Sequence, residues 1–370
     1  MEIRKDERIY DEFNADGRWT VIENGEAVSS GGVNTRASRY MGSYIKTMLV
    51  GGVGTPVEYR RRGYVRRIFD NIGAVAQEKG WAVSMLHPFS FQYYRKFGYE
   101  KISDHLIIEF PMTALAPFDR VDFVPLKTPE QQRMLSECYE AFAADKNIMF
   151  RRTADNFSLD PGSGKRYYLH TDGEGKCDAF VETQVENVFY VNHMQSVNLN
   201  VYEFAYTSPA GLTAMLGFLR MYEGQLESVK IHNAAMAPEL DMALRNYTHT
   251  KYTLVPDIMA RIFDLPAMME HRVWPKEHGV FTLRTVDTLP YMNACWQVEY
   301  EGGKCEVIRL PDGSAADLTM PSPALSQFVY GYSEYTARNI SYLPGVILDN
   351  AESDIFKVFH KQNNGLFEHF

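Results

Sequence analysis

Three consecutive arginines and a glycine, Arg60 to Gly63, lie between two stretches of different periodicity. The residues before them predict a strand that stops at Pro56, and those after them predict a helix with Ile68, Ile72 and Val75 on one face. Because the N–H groups of a first helical turn lack intrahelical partners and the helix dipole favours negative charge there, this turn predicts an anion site. The ligand we expect is a pyrophosphate.

These residues, together with a tyrosine motif further along the chain, resemble the acyl-CoA cradle of the GNAT superfamily of N-acetyltransferases. The family signature is Arg/Gln-x-x-Gly-x-Gly/Ala at the start of a helix, and Val65 stands where a second small residue is usual. One helix and one strand later the family has a Tyr-x-x-x-Gly-Phe/Tyr element, which Tyr94 to Tyr99 match. An arginine run alone is more often a solvated surface. With both motifs, the resemblance implies acetyl-CoA as cosubstrate.

The composition indicates a globular protein with more than one domain. Its 370 residues are too many for one ordinary domain, and a hydrophobic content of 45% can build several cores. The net charge of −9 argues against a nucleic-acid partner, because such a protein needs a basic face over many phosphates. The arginine run is therefore a local basic spot that suits one small polyanion. The overall acidity would attract a cationic acceptor such as an amine.

Cysteine spacing and hydropathy bear on metals, compartment and membranes. The four cysteines, Cys138, Cys177, Cys295 and Cys305, form neither metal-type pairs nor a dense disulfide framework. We expect no metal, and free thiols in a reducing compartment. No charged-then-apolar leader opens the chain, and no stretch approaches the roughly 18 apolar residues of a membrane span. The expectation is a cytoplasmic protein without a membrane partner.

The first predicted segment, residues 1–117, contains both motifs. A short helix with Ile9, Tyr10 and Phe13 as apolar contacts opens it, and Asn24-Gly25 between two β-rich runs predicts a hairpin. The other elements predicted in it are a strand over 44–55, the helix after Gly63, and strands over 82–86 and 105–110, the last of which closes the segment. A GNAT domain normally begins with a strand and two helices, so the resemblance implies an abbreviated start.

Residues 118–256 predict a second unit in the order of a GNAT core. Its turn at 206–211 lacks arginines, so we expect a GNAT-like domain without a cofactor site. Its predicted elements are helices over 129–144, 209–222 and 238–247 and strands over 166–169, 178–183, 188–197 and 228–232.

From residue 257 the pattern changes. A strand over 258–264 and a helix from Leu265 precede strands over 279–287, 294–301 and 304–309 and helices over 322–330 and 353–359. Residues 257–370 resemble a sterol-carrier-protein-like domain found at the end of one GNAT subfamily. The fold class we predict is therefore α+β (mixed α/β): tandem GNAT-like domains followed by a sterol-carrier-protein-like α+β domain.

This domain order resembles that of the enhanced intracellular survival (Eis-like) acetyltransferase family. In that family the pantetheine runs beside a strand, a basic turn holds the pyrophosphate, and a segment after the next strand lies beside the acyl arm. The residues that the resemblance assigns to acetyl-CoA are Val53, Gly54, Thr55, Arg60, Arg61, Arg62, Gly63, Tyr64, Val65, Arg66, Phe89 and Ser90. Taken alone, Val53 is more often a core residue than a ligand contact.

Acetyl transfer to an amine needs a group that takes the amine's proton and one that protonates the leaving thiolate. The resemblance assigns the acid role to Tyr94. A phenol with an ordinary pKa of about 10 is protonated at neutral pH and can donate to a thiolate. The alternative is that Tyr94 is an amphipathic core residue beside Tyr93 and Phe97.

The base is harder to find in the sequence. In the Eis-like family the C-terminal carboxylate reaches the active site, which implies the carboxylate of Phe370 here. An aromatic last residue can be buried while its α-carboxylate accepts a proton, although termini are usually frayed. Glu368 and His369 are alternative bases, and His87 before Pro88 is a weaker candidate near the acyl group.

Two functions follow from the sequence. The first is an acetyl-CoA-dependent N-acetyltransferase acting on a primary amine of a small cationic molecule, aminoglycoside- or polyamine-like, or on a lysine. The second is a non-catalytic CoA- or lipid-binding protein whose C-terminal domain carries an apolar ligand. The presence of Tyr94 and of the expected C-terminus favours the first. A homo-oligomer is expected from the resemblance alone.

Overall fold

The computed structural model describes residues 1–160, 162, 164–189 and 195–370. The chain forms two compact units. The first unit comprises residues 1–103, 257–364 and 368–370, and the second comprises residues 104–256 and 365–367. The division into three consecutive segments stays a prediction.

The described residues form many helices and many strands, which confirms the α+β (mixed α/β) class. The α-helices are α1 (Tyr64–Lys79), α2 (Phe91–Arg95), α3 (Pro129–Ala143), α4 (Pro209–Leu219), α5 (Glu239–Leu244), α6 (Leu265–Glu270) and α7 (Ser322–Val329). The strands are β1 (Glu2–Ile9), β2 (Ala15–Glu23), β3 (Glu26–Tyr40), β4 (Ser43–Gly54), β5 (Val83–Leu86), β6 (Glu100–Lys101), β7 (Asp104–Pro111), β8 (Val124–Pro125), β9 (Arg166–Thr171), β10 (Cys177–Phe189), β11 (Gln195–Tyr206), β12 (Ser228–Ile231), β13 (Lys251–Pro256), β14 (Met259–Ile262), β15 (Gly279–Val286), β16 (Ala294–Glu301), β17 (Lys304–Leu310), β18 (Leu318–Pro321) and β19 (Ile347–Leu348). Among the helices so described, none is both long and apolar enough to cross a membrane.

The first unit is built on a seven-stranded sheet in the order β1-β2-β3-β4-β5-β14-β6. Its neighbouring strands run antiparallel except β4 and β5, which are parallel. Asn24 and Gly25 both adopt positive φ at the turn between β2 and β3, as an Asn-Gly hairpin requires. Helix α1 buries Ile68, Ile72 and Val75 in the core beneath this sheet, which confirms the predicted apolar face.

A second sheet of the first unit has the order β17-β16-β15-β18-β19. The three strands predicted in this region are confirmed as β15, β16 and β17, which pair antiparallel, and Gly302 and Gly303 adopt positive φ at the turn between the last two. Helix α7 packs against β14 and β6. The strand predicted at 258–264 is present as β14, but its place between β5 and β6 could not be predicted, because nothing local in a strand specifies partners about 160 to 180 residues away.

The second unit is built on the sheet β13-β7-β12-β11-β10-β9-β8. Strands β11 and β12 are parallel and are joined by α4, which is the connection predicted for a GNAT-like core. Two of the first three residues of α4 present no free N–H, because Ser208 Oγ accepts the N–H of Gly211 and Pro209 has none. A Cβ on Gly211 would lie 2.4 Å from the carbonyl oxygen of Asp178, so this glycine serves packing against β10.

Two predictions about the elements are wrong. The N-terminal residues form β1 and not a helix: all eight of its residues pair with β2, and Lys5 Nζ lies over the ring of Trp19 at 4.8 Å. Pairing with a neighbouring strand outweighs the weak helical pattern. The strand predicted at 105–110 does not close the first unit, because β7 pairs with β12 and β13 in the second sheet. The strand predicted over 188–197 falls partly on residues 190–194, which lie outside the described residues.

A buried ion pair joins a loop to the central strand β11 of the second unit. Arg152 Nη1 and Nη2 donate to the two carboxylate oxygens of Glu203 at 2.6 and 2.9 Å, and the hydroxyl of Tyr167 donates to Oε2 at 3.0 Å. Burial acts to raise the pKa of Glu203, but the charge and hydrogen bonds of Arg152 outweigh it, so the pKa is lowered. Removing one partner of such a pair leaves an uncompensated buried charge.

We expect Glu203→Gln to lower the free energy of unfolding of the second unit by about 3 kcal/mol at pH 7. The carboxylate's contribution is fully present above its ordinary pKa of 4.5 and is lost as pH falls through the lowered folded value. The variant should therefore show a flatter dependence of unfolding temperature on pH below pH 5. Scanning calorimetry measures both effects. Glu174→Gln is the control, because the Glu174–Lys176 pair is 75% exposed on both sides, and an equal loss in that control contradicts the prediction.

Candidate active site

Strands β4 and β5 are paired for only a short distance. Their parallel pairing covers three residue pairs, from Thr47 with Val83 to Leu49 with Met85. β4 then continues to Gly54, whereas β5 ends at Leu86. Beyond Leu49 this edge of β4 has no strand partner among the described residues, so its backbone groups can face a ligand.

The start of α1 offers N–H donors to that opening. Gly63 precedes the helix at φ 83°, and no side chain caps the first turn. Arg61 also adopts positive φ, at 64°. The first turn contains no acidic residue, and the first N–H groups of a helix, here those of Tyr64, Val65 and Arg66, have no intrahelical acceptor. The turn is therefore built to receive an anion.

The arginines around the turn are exposed and partly held in place. Arg60 Nε donates to the carbonyl of Thr55 at 3.1 Å, and Arg62 Nη2 donates to the carbonyl of Glu58 at 3.1 Å. The guanidinium of Arg66 lies 5.4 Å from the ring centre of Phe97. Because each guanidinium has five N–H donors, these contacts leave donors for a phosphate.

One cleft of about 800 Å³ unites these elements, a volume suited to a cofactor. Eleven of the twelve residues that the sequence assigned to acetyl-CoA lie in its wall; Ser90 does not. Ser90 Oγ instead accepts the N–H of Tyr93 at 3.3 Å and caps α2. The sequence assignment missed four lining residues, which are Tyr59, Tyr93, Lys96 and Phe97.

Tyr94 lies in the aromatic wall behind this cleft. Its side chain is 5% exposed, and its ring packs edge-on against Phe89, Tyr93 and Phe69 at 5.3, 5.4 and 5.9 Å between centres. Burial, followed by the neighbouring Tyr93, raises the pKa of Tyr94 to about 12. Tyr94 is thus a core residue that borders the cleft residues Phe89 and Tyr93 without lining the cleft itself, and its role as the acid stays a prediction.

The C-terminal carboxyl group lies against the unpaired part of β4. A Cβ placed on Gly51 would be 3.3 Å from both the carboxyl carbon and the carboxyl oxygen of Phe370. Gly51 is two residues past the last β4–β5 pair and two residues before Val53, which lines the cleft. The part of β4 beyond its pairing with β5 therefore carries the cleft at one end and the terminal carboxyl at the other.

His87 contacts each of the last three residues of the chain. Its Nδ1 lies 3.1 Å from Asp257 Oδ1, and its Nε2 lies 3.3 Å from the carbonyl oxygen of Glu368. Its ring centre is 4.6 Å from that of His369 and 4.7 Å from that of Phe370. Since both neighbouring oxygens are acceptors, the ring makes both bonds at once only when both nitrogens carry a proton.

Asp257, the partner of His87, is a further residue that sequence reasoning missed. His87 itself is a candidate in the sequence because it directly follows a predicted strand. Asp257 lies 170 positions further on and no local pattern marks it. Of the two alternative bases, Glu368 contacts His87 through its main-chain carbonyl, and His369 is exposed. Within the described residues, no group of three or more His, Cys, Asp or Glu is placed to hold a metal ion.

The cleft, the anion-binding turn and the parted strands all lie within the first 102 residues of the chain. Residues 3–102 match the family model described as acetyltransferase (GNAT) domain. The chain is thus an N-acyltransferase with a GNAT acetyltransferase domain at residues 3–102, and GNAT domains use acetyl-CoA. No curated protein sequence matches the chain significantly.

Solved structures share the whole fold. A probable N-acyltransferase from Enterococcus faecalis V583 aligns with a TM-score of 0.81 at 19% identity, covering 96% of this chain and 89% of its own. A GCN5-related N-acetyltransferase from Anabaena variabilis aligns with 0.80 at 16% identity, covering 95% and 89%. Eis1 from Mycobacterium abscessus aligns with 0.73 at 16% identity, covering 95% and 91%. At these identities the likeness shows a common fold.

We expect the phenol of Tyr94 to stay protonated beyond pH 10. Its raised pKa means that the stability linked to the neutral phenol is fully present below pH 10 and is lost as pH rises towards about 12. Subtracting the tyrosinate absorbance of Tyr94→Phe from that of the native protein isolates this one group. The difference should remain near zero at pH 10.5, where an N-acetyl-tyrosinamide standard is already mostly ionised. A difference curve that follows the standard contradicts the buried placement.

Proposed function

We propose that this protein transfers the acetyl group of acetyl-CoA to a primary amine of a small cationic molecule, aminoglycoside- or polyamine-like, or of a lysine. The observation that carries the proposal is that donor cleft and terminal carboxyl lie along one strand edge: Val53 to Thr55 line the cleft, and Gly51 contacts the carboxyl group of Phe370. An acyl donor and a base placed two residues apart suit direct attack by a bound amine.

The donor is held by three parts of the cleft. The N–H groups at the start of α1 and the guanidinium groups of Arg60 to Arg62 and Arg66 take the pyrophosphate. The pantetheine runs beside the backbone of Val53 to Thr55, where β4 is no longer paired with β5. Phe89, which is 74% exposed, lies beside the acyl arm. Ser90 contributes indirectly, because it caps α2, the helix that follows Phe89.

The reaction needs two proton movements around one bond exchange. As the amine nitrogen forms a bond to the acetyl carbon, its proton passes to the carboxylate of Phe370. The C–S bond then breaks, and the thiolate of CoA receives the proton of Tyr94. Because the pKa of Tyr94 is raised, transfer of its proton before the C–S bond has broken is unfavourable. The phenol therefore first donates a hydrogen bond to the developing thiolate.

The remaining expectations extend this proposal. Residues 257–370 would be a sterol-carrier-protein-like domain. The support for this is general: the region contains the sheet of β15 to β19 and helices α6 and α7, which is an α+β arrangement. The enzyme would act as a homo-oligomer in the cytoplasm, on a small-molecule acceptor and not on nucleic acid or membranes. The second candidate, a non-catalytic CoA- or lipid-binding protein, has no observation in its favour beyond the cleft that both share.

Replacing Tyr94 by Phe should lower kcat about 100-fold and leave the KM for acetyl-CoA within about twofold, because the phenol acts on the leaving group and not on the pyrophosphate. Thiol release with a panel of polyamines and aminoglycosides gives both constants. Tyr335→Phe, which removes another buried phenol of the first unit, is the control. Saturable CoA binding without turnover by the native protein would contradict the enzyme and favour the second candidate.

Adding Gly-Ser after Phe370 should lower kcat about 100-fold, since it moves the terminal charge away from Gly51. The same dipeptide placed before Met1 is the control. Gly51→Val tests the same contact from the strand, because the valine side chain needs the space that the carboxyl group occupies. Its control is Gly173→Val, since a Cβ on Gly173 meets nothing within 4 Å. An extended protein with native kcat refutes the base role.

A further inference from the structure

Arg261, on β14, takes part in a second buried ion pair that the proposed chemistry does not use. Arg261 Nη2 lies 2.6 Å from Asp287 Oδ1, and the two side chains are 4% and 1% exposed. Arg261 Nε and Asp287 Oδ2 have no hydrogen-bond partner among the described residues. A buried pair with two unsatisfied atoms is a poor source of stability compared with apolar packing. Its other contacts indicate what it does.

The other terminal nitrogen of Arg261 bonds to the turn of the tyrosine motif at Phe97 and Gly98. Its Nη1 donates to the carbonyl of Phe97 at 2.5 Å. Gly98 has φ 83°, and a Cβ there would be 2.9 Å from Arg261 Nε, so the guanidinium packs directly on the glycine. Ser322 Oγ donates to the carbonyl of Gly98 at 3.3 Å. Both carbonyls of this turn are thus held by side chains from distant parts of the chain.

The turn at Phe97 and Gly98 is hydrogen-bonded to Tyr94. The N–H groups of Phe97 and Tyr99 both donate to the carbonyl of Tyr94, at 2.9 and 3.4 Å. The hydroxyl of Tyr99 donates to Ser84 Oγ at 2.8 Å, on the strand that pairs with β14. Because α2 has only five residues, it cannot fix its own orientation and depends on such contacts.

The Asp287 turn also reaches the helix that begins at the anion site. Asp287 Oδ1 accepts the N–H of Leu289 at 2.8 Å. A Cβ on Gly73 of α1 would lie 2.9 Å from Leu289 Cδ2, and the hydroxyl of Tyr291 donates to the carbonyl of Gly73 at 3.1 Å. One loop therefore contacts both the donor helix and, through Arg261, the turn after Tyr94.

We propose that Arg261, supported by Asp287 and Ser322, is a positioning residue that sets the orientation of the Tyr94 phenol relative to the bound donor. The proposal rests on the proposed function, since it assigns a support to the proton donor of that reaction. The hydrogen bonds of Arg261 within the described part of the chain go to Asp287, Thr288 and the main-chain carbonyl of Phe97, so it reaches the cleft only through the backbone of the turn that follows Tyr94.

A double-mutant cycle between Arg261→Gln and Tyr94→Phe tests it. We expect Arg261→Gln to lower kcat about 10-fold or more while the KM for acetyl-CoA changes less than about twofold. In the Tyr94→Phe background the same change should cost less than about twofold, because the phenol it orients is gone. Arg261→Lys, which keeps the charge beside Asp287, should recover part of the loss.

Arg272→Gln is the matched control. Arg272 is likewise buried in the first unit, and its hydrogen bonds within the described residues go to Tyr40 and to the carbonyls of Val329 and Val358 and not to the tyrosine motif. It should lower the unfolding temperature and leave kcat at 25 °C within about twofold. If Arg261→Gln does not fold, Ser322→Ala, which removes only the hydroxyl at Gly98, takes its place in the cycle.

An equal loss of kcat in both backgrounds overturns the proposal, because it shows a role independent of Tyr94. An unchanged kcat in Arg261→Gln overturns it as well. The Tyr94→Phe variant alone reports on the proposed function: if its kcat is native, the acid role fails and this proposal fails with it, whereas a large loss with an additive cycle refutes the positioning role only.

Discussion

Parallel pairing between β4 and β5 stops after three residue pairs, and the rest of the site depends on where it stops. A continued ladder would satisfy the edge of β4 with strand hydrogen bonds and leave no room for a ligand. Because the strands part at Leu49, the edge is open at Gly51, where the terminal carboxyl lies, and at Val53 to Thr55, where the cleft begins. The anion-binding turn follows ten residues after Val53, within reach of a pyrophosphate.

The open edge needs support from distant parts of the chain. β14 lies between β5 and β6 and completes the sheet of the first unit on the far side of the opening. From the same region of the chain come Asp257, which holds His87, and Arg261, which holds the turn after Tyr94. Residues far along the chain thus contact the two groups proposed for proton transfer, while the turn proposed to bind the donor is local in sequence.

This difference explains how much could be predicted from the sequence. The arginine-glycine turn, α1 and the hairpin at Asn24-Gly25 were predictable, because each depends on short-range backbone preferences and spacing. Strand β1 was not, because its stability comes from pairing with β2 and not from its own pattern. The Asp257–His87 and Arg261–Asp287 pairs were not predictable either, since they join residues brought together only by the sheet order.

A crystal structure with CoA bound tests the central claim most directly, namely that one strand edge holds the donor between the phenol and the terminal carboxyl. The account predicts pyrophosphate oxygens within about 3.2 Å of the N–H groups at residues 64–66, and the CoA sulfur within hydrogen-bond reach of Tyr94 Oη, on the Phe370 side of the cleft. A pyrophosphate bound away from the start of α1, or a sulfur separated from Tyr94 by other side chains, would contradict it.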